Sequence, residues 1–236
     1  MPTALPATRG MHRWIWNLHY PDPDTTTRGY PISAVPHATP QEPQGPLALP
    51  GNYVIRLTVD GHPIEAPLSV KPDPRVTSPA GALQKQFELA SSLAGSLSET
   101  SRTLMAARSE HEQLQELLKK RPTDEVIAGF DRRLLALLSA KEEPSEGTNE
   151  AHVLLSDVQS QIEILYKQVI GGDAAPTAAQ LSACEAVQKK AMPLLATWNQ
   201  LQKELPALNK RLSSARLAAV RPELPAPRDL NVADEE

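Results

Sequence analysis

The chain has 236 residues, 40% of them hydrophobic and 22% charged, and a formal net charge of −4. That length admits two small domains or one larger one, and the mild acidity argues against a nucleic-acid binder, which needs a basic stripe to neutralise phosphates. A single cysteine, Cys184, excludes an internal disulfide framework, and the absence of any apolar run of about 18 residues excludes a membrane-spanning helix.

Aromatic residues make up only 4%, so cores must be built from Leu, Val, Ile and Ala, and the 23 prolines are unevenly spread, which suggests two differently built halves. Residues 1–11 read as a disordered N-terminus. MPTALPATRGMHRW lacks the apolar core of a signal peptide, so the chain as written is expected in the cytoplasm. Residues 12–20, HRWIWNLHY, place Trp14, Trp16, Leu18 and Tyr20 on one face, as in a half-buried strand. Eight prolines in residues 21–50 exclude a central strand and predict a long loop, with one short edge strand near Ile32–Val35. In residues 49–75, Tyr53, Ile55, Leu57 and Val59 alternate with Val54, Arg56 and Thr58. Asp60-Gly61 then predicts a two-residue turn, because type I′ needs positive φ at both central positions. Ile64, Ala66, Leu68 and Val70 line the return strand. Two strands do not stand alone, so residues 12–75, with the Trp strand and the edge strand as partners, predict a minimal antiparallel sheet or half-sandwich.

From residue 78 the pattern changes. Ser78-Pro79 predicts an N-cap followed by proline at the first helical position. Positions 83, 86, 90, 93, 97, 100, 104, 107, 111, 114 and 118 step by three and four, as in the seam of a long helix over about 79–120. Pro122 ends it, at a length of roughly 60 Å. Further helices are predicted over about 124–142, 150–170 and 178–219. The third stops at Gly171-Gly172, and the last is opened by a Thr177–Gln180 capping box. The last repeats the seam at 184, 187, 191, 194, 198, 201, 205, 208, 212 and 215, with Pro193 and Pro206 inside as sites of kinking or loosening. Two long helices flanking two short ones predict an elongated antiparallel bundle over 78–219. Its packing is either three layers with the short pair end to end, or a conventional four-helix bundle. Residues 220–236 read as a disordered Pro-rich tail. The fold class is α+β.

Catalytic signatures are missing: there is no Gly-rich phosphate loop, no G-x-S-x-G and no H-E-x-x-H. The six histidines are His12, His19, His37, His62, His111 and His152. A metal site from His12, His19 and His62 at the sheet is weighed against solvated or packed imidazoles, and His111 reads as a satisfied boundary histidine. Asp22, Asp24 and Asp73 could bind a hard cation but read as turn-forming aspartates. Glu142-Glu143 reads as solvated charge at a helix end. Cys184 reads as a small buried apolar residue without a base beside it. Trp14 and Trp16 could stack on sugar rings if exposed; on a strand face beside Leu18 they read instead as core. No cofactor and no catalytic residue are expected.

The strings GMHRWIWNLHYP, LPGNYVIRLTVDG and LSVKPDPR, with DAAPTAAQ and a last helix centred on Trp198, carry a resemblance over about residues 9–220. Together they resemble the C-terminal region of large bacterial sortilin-like proteins with BNR-type repeats, often labelled glycosyl hydrolases. The resemblance implies β-propellers upstream, then an Ig-like sandwich, then a helical segment, in exported or periplasmic proteins. This chain has no S-x-D-x-G-x-T-W Asp-box repeat and no tandem period of the propeller kind, so no catalytic residue transfers to any position here. The expectation is a fragment-like, non-catalytic accessory or interaction module, monomeric as a chain. Its partner would be the upstream β-propeller domains or another protein. The alternatives are a glycoside hydrolase with its activity in the missing propellers, or a carbohydrate-binding module acting through Trp14 and Trp16. The prolines of the KPDPR exit predict a stiff junction between the two halves.

Overall fold

The computed structural model describes residues 8–31, 34–35, 39–79, 81–139, 153–222 and 228–229. Its elements are β1 (Thr27–Arg28), β2 (Gly51–Val59), β3 (His62–Val70), α1 (Ala82–Lys120), α2 (Glu125–Leu138), α3 (Leu155–Ile170), α4 (Ala178–Ser214) and β4 (Arg228–Asp229). The class is α+β, with a small antiparallel sheet formed by β2 and β3 and a helical body. β1 and β4 form a separate two-residue parallel pair, Thr27 with Arg228 and Arg28 with Asp229.

The three-four spacing of apolar residues decides how the helices pack. In α1, Leu93, Leu97, Leu104, Ala107 and Leu114 are buried; in α4, Cys184, Val187, Ala191, Trp198, Leu201, Leu205, Leu208 and Leu212 are buried. Two hydrophobic clusters result. One joins the first half of α1 to α3 and the start of α4, through Leu93, Leu97, Ile162, Tyr166 and Val187. The other joins the second half of α1 to α2 and the end of α4, through Leu114, Phe130, Leu134, Trp198 and Leu205. Cross-helix bonds fix the directions. Gln188 reaches Ser92 and Gln202 reaches Glu110, so α1 and α4 run the same way. Gln159 reaches Ser101 while Gln86 reaches the Val169 carbonyl, so α3 runs against α1. Arg211 meets Asp124 and Arg133 meets Glu204, so α2 runs against α4.

The helix ends differ in detail from the expectation. α1 begins at Ala82 behind Gly81, whose φ of 77° places it in the left-handed region. Ser78 is not the N-cap; its hydroxyl donates instead to the Asp173 carbonyl. Asp124 caps α2, accepting from the Val126 and Ile127 N–H groups. The Thr177–Gln180 capping box is present, and α4 continues without interruption past Pro193 and Pro206. Gly171 follows α3 with φ −74°, outside the left-handed region. The expected helix ends at 140–142 and 150–152, the 144–149 break, and His37, His152 and Glu142-Glu143 lie outside the described residues.

Residues 12–20 are not a strand. Leu18 has φ 64°, which breaks the extended run, and among the described residues this segment's only ladder contact is an isolated bridge from His19 to Leu47. Ala34 and Val35 are not a strand either, and Ile32 and Ser33 are outside the described residues. Among the described residues the expected sandwich is therefore reduced to the β2–β3 hairpin.

The Pro-rich loop is instead a packed strap across α1 and α3. Its two arms are tied by Tyr20 N–H to the Pro46 carbonyl (2.9 Å), Ala48 N–H to the Leu18 carbonyl (2.7 Å) and Glu42 N–H to the Gly29 carbonyl (2.9 Å). The Arg28 guanidinium donates to the Pro23 and Pro43 carbonyls and to Asp22. Thr25, fully buried, donates to Glu163 of α3, and Asp24 N–H donates to Ser98 of α1. Residue 220 does not begin a loose tail. Val220 is buried and its N–H and C=O are both held by the Asn209 amide, while Gln113 holds Arg221 in the same two-sided way.

Candidate functional site

The β2–β3 hairpin is the surface whose chemistry the fold leaves unspent. Asp60 (φ 49°) and Gly61 (φ 81°) form the tight turn that the sequence predicts. The register pairs Tyr53 with Leu68, Ile55 with Ala66, Leu57 with Ile64 and Val59 with His62. Because side chains alternate across a strand, these residues share one face with Gly51 and Val70. The opposite face carries Asn52, Val54, Arg56 and Thr58 against Ser69, Pro67, Glu65 and Pro63, with an Arg56–Glu65 ion pair at 2.6 Å. The first face is apolar and the second largely polar, which is the pattern of a sheet with one side buried. Yet Ile55, Leu57, Val59 and Ile64 are 48%, 44%, 50% and 63% exposed.

Only the base of that face is covered. The Trp16 ring meets Tyr53 edge-on at 5.8 Å, and its indole N–H donates to the His19 carbonyl. The Tyr53 hydroxyl donates to the Leu49 carbonyl. Trp14 is 59% exposed, so it is not the core residue that its alternation with Trp16 suggested. Trp16 is half-buried against Tyr53.

Beside the hairpin base lies a cavity of about 340 Å³, walled by residues including Leu18, Pro46, Val70, Leu83 and Phe87. Its polar groups include His19 and Gln86. His19 Nδ1 bonds the Gly45 carbonyl, and the Gln86 amide donates to the Val169 and Gly172 carbonyls. These side chains brace the strap and the end of α3.

The remaining titratable candidates are occupied structurally. His12 bonds the Thr8 carbonyl, His19 lies under the strap and His62 sits at the hairpin turn, so the three do not converge. No group of three or more His, Cys, Asp or Glu side chains able to hold a metal exists among the described residues. Asp22 accepts from Gly45 N–H and Arg28, and Asp24 meets Arg102 at 3.1 Å. Asp73 accepts from the Arg75 backbone and guanidinium, which holds its carboxyl below the usual range. Cys184 is buried, and burial pushes its thiol up, away from the thiolate. His111 Nδ1 lies 2.7 Å from the buried Asp131, whose other oxygen accepts from Gln115. Glu110, fully buried, accepts from Gln202 with both oxygens at 2.8 and 3.1 Å. Desolvation raises its carboxyl to about 7 against the opposing pull of that hydrogen bond.

The pairing of buried Glu110 with Gln202 and the strap were not anticipated from the sequence. Glu110 falls outside the seam positions, and burial of a carboxylate has no local sequence signal. No family model, no curated protein and no solved structure matches this chain.

Proposed function

We propose that this chain is a non-catalytic accessory or interaction module, the counterpart of the C-terminal part of exported sortilin-like proteins with BNR-type propellers. One observation carries the reading: an apolar sheet face with Ile55, Leu57, Val59 and Ile64 about half exposed, beside a polar face that is already charge-paired. A two-stranded ribbon is marginal in water by itself, and a contiguous exposed apolar patch marks an interaction surface. In this reading β2–β3 is one part of an Ig/fibronectin-like sandwich completed by a propeller-bearing partner. The helices form an elongated bundle that supports it. Catalysis, where the family label applies, belongs to the propellers.

Two measurements test this. The purified chain is expected to show no turnover on a panel of chromogenic glycosides, and glycosidase activity of the chain would overturn the reading. Calorimetry with a purified BNR-type propeller protein is expected to show binding that the Leu57→Arg, Ile64→Lys double variant loses; binding of equal strength by that variant would overturn the role of the face. A second reading, a carbohydrate contact through Trp14 with Trp16 behind it, is favoured by the exposure of Trp14. Soluble polysaccharide would then quench tryptophan fluorescence in the parent chain but not in Trp14→Ala; no quenching removes it.

A further inference from the structure

We propose that the outer edge of β2 is the docking site for an extended β-strand of a partner protein, which adds to the ribbon and brings a second apolar layer over the Ile55–Leu57–Ile64 face. This rests on the reading of the chain as an interaction module and specifies how the partner is held.

Backbone parity decides which edge of the ribbon is open. A two-residue type I′ turn closes on a hydrogen-bonded pair, here Val59 with His62. Hydrogen-bonded and non-hydrogen-bonded pairs then alternate along the ladder. Gly51, Tyr53, Ile55, Leu57 and Val59 therefore turn their backbone groups toward β3. Asn52, Val54, Arg56 and Thr58 turn theirs outward. On β3 the outward positions are Pro63, Glu65, Pro67 and Ser69, from the same register. Proline has no N–H, so β3's edge keeps only the donors of Glu65 and Ser69. β2's edge keeps all of its donors and acceptors in an unbroken row. Proline on an edge is one of the ways proteins block unwanted strand pairing. The ribbon is blocked on one side and open on the other. Among the described residues no backbone hydrogen bond reaches the outer edge of β2.

The same geometry identifies the occupant. A second copy pairing β2 to β2 would form a four-stranded sheet with both apolar faces still in water. Stacking two copies face to face would not suffice either. A nine-residue, two-stranded ribbon offers a face of roughly 30 by 10 Å, or about 300 Å². A stable interface needs about 800 Å² from each partner. A partner strand that pairs with β2 satisfies the open backbone groups, and the layer it brings covers the face, so edge and face together bury more of this chain than the face alone. The Arg56–Glu65 pair neutralises the outer face, so the incoming strand is selected by alternation of apolar and polar residues and not by net charge.

The test uses the full chain and a soluble peptide alternating valine with threonine. Its N-methylated counterpart, which cannot form the ladder, serves as control. Amide hydrogen exchange by NMR is expected to slow roughly tenfold at Asn52, Val54, Arg56 and Thr58 with the peptide, with no change at Glu65 and Ser69 and none with the N-methylated control. Arg56→Pro removes one outward donor of β2, whereas Glu65→Pro removes one from β3 and breaks the same ion pair. Only Arg56→Pro is expected to lose the protection. Val54→Pro, opposite Pro67, repeats the test at a second position, and continued protection of Ile55 and Leu57 amides shows that the ribbon is intact. Protection at Glu65 or Ser69, equal effects of the two proline variants, no protection anywhere, or protection that rises with protein concentration without peptide would each overturn the proposal. If a propeller protein binds and leaves β2's edge unprotected, strand addition fails while the module reading stands.

Discussion

Gly45 is where the strap comes closest to itself. A Cβ at this position would lie 1.9 Å from the Tyr20 carbonyl oxygen and 2.6 Å from that of Pro21. These are backbone atoms and cannot swing aside, so Gly45→Ala is expected to destabilise the fold by about 1–3 kcal/mol, read by urea denaturation. Glu110 gives a prediction with a sign. Its folded carboxyl is raised from 4.5 to about 7, so the folded chain holds the proton more tightly than the unfolded one. The stabilising contribution is complete below about pH 4.5 and is lost as pH rises through about 7. Glu110→Gln keeps a neutral amide beside Gln202. It is expected to match the parent near pH 5 and to exceed it by roughly 2 kcal/mol near pH 8; urea denaturation at the two pH values checks this. The strap itself was not legible as a packed unit. Its prolines correctly exclude a central strand, but the anchors that hold it down, Thr25 on Glu163 and the Tyr166 hydroxyl on the Gln44 carbonyl, join residues more than a hundred positions apart.

The elements separate into a helical core and an open ribbon, and truncation tells them apart. Leu97 is fully buried between α1 and α3, and Leu97→Ala is expected to cost about 3 kcal/mol in urea denaturation. Leu57, at 44% exposure on the ribbon, is expected to change stability by less than about 0.5 kcal/mol when cut to alanine. The helices were legible because a three-four repeat is a property of the sequence alone: Leu93, Leu97, Leu104 and Leu114 fall on the seam and are buried. The hairpin was legible for the same kind of reason, through strict alternation and Asp60-Gly61. The segment 12–20 shows where pattern misleads. Its aromatic residues alternate, yet the positive φ of Leu18 and the prolines that follow deny it a strand partner. The Ser78-Pro79 signature likewise marks the approach to α1, while Gly81 takes the cap position.

At the scale of the whole molecule, the ribbon enters the helical body through Lys71–Arg75, and the junction is braced on several sides. Asp73 folds back on Arg75, Ser78 bonds the Asp173 carbonyl and Tyr20 packs on Phe87 at 5.2 Å between ring centroids. Small-angle scattering is expected to fit one arrangement of ribbon and body, and a broad ensemble would contradict a stiff junction. With its seams satisfied by α2 and α3, the free chain is expected to be a 25.7 kDa monomer by light scattering at micromolar concentration; a dimer would contradict this. The proposed role of the chain is to present the ribbon to a partner. Its most direct test is an amide-exchange map of the full chain with and without a purified BNR-type propeller protein. New protection is expected to concentrate on residues 51–70, with the helical body unchanged. Binding that protects the helices and leaves the ribbon exchanging freely, or no binding at all, would contradict it.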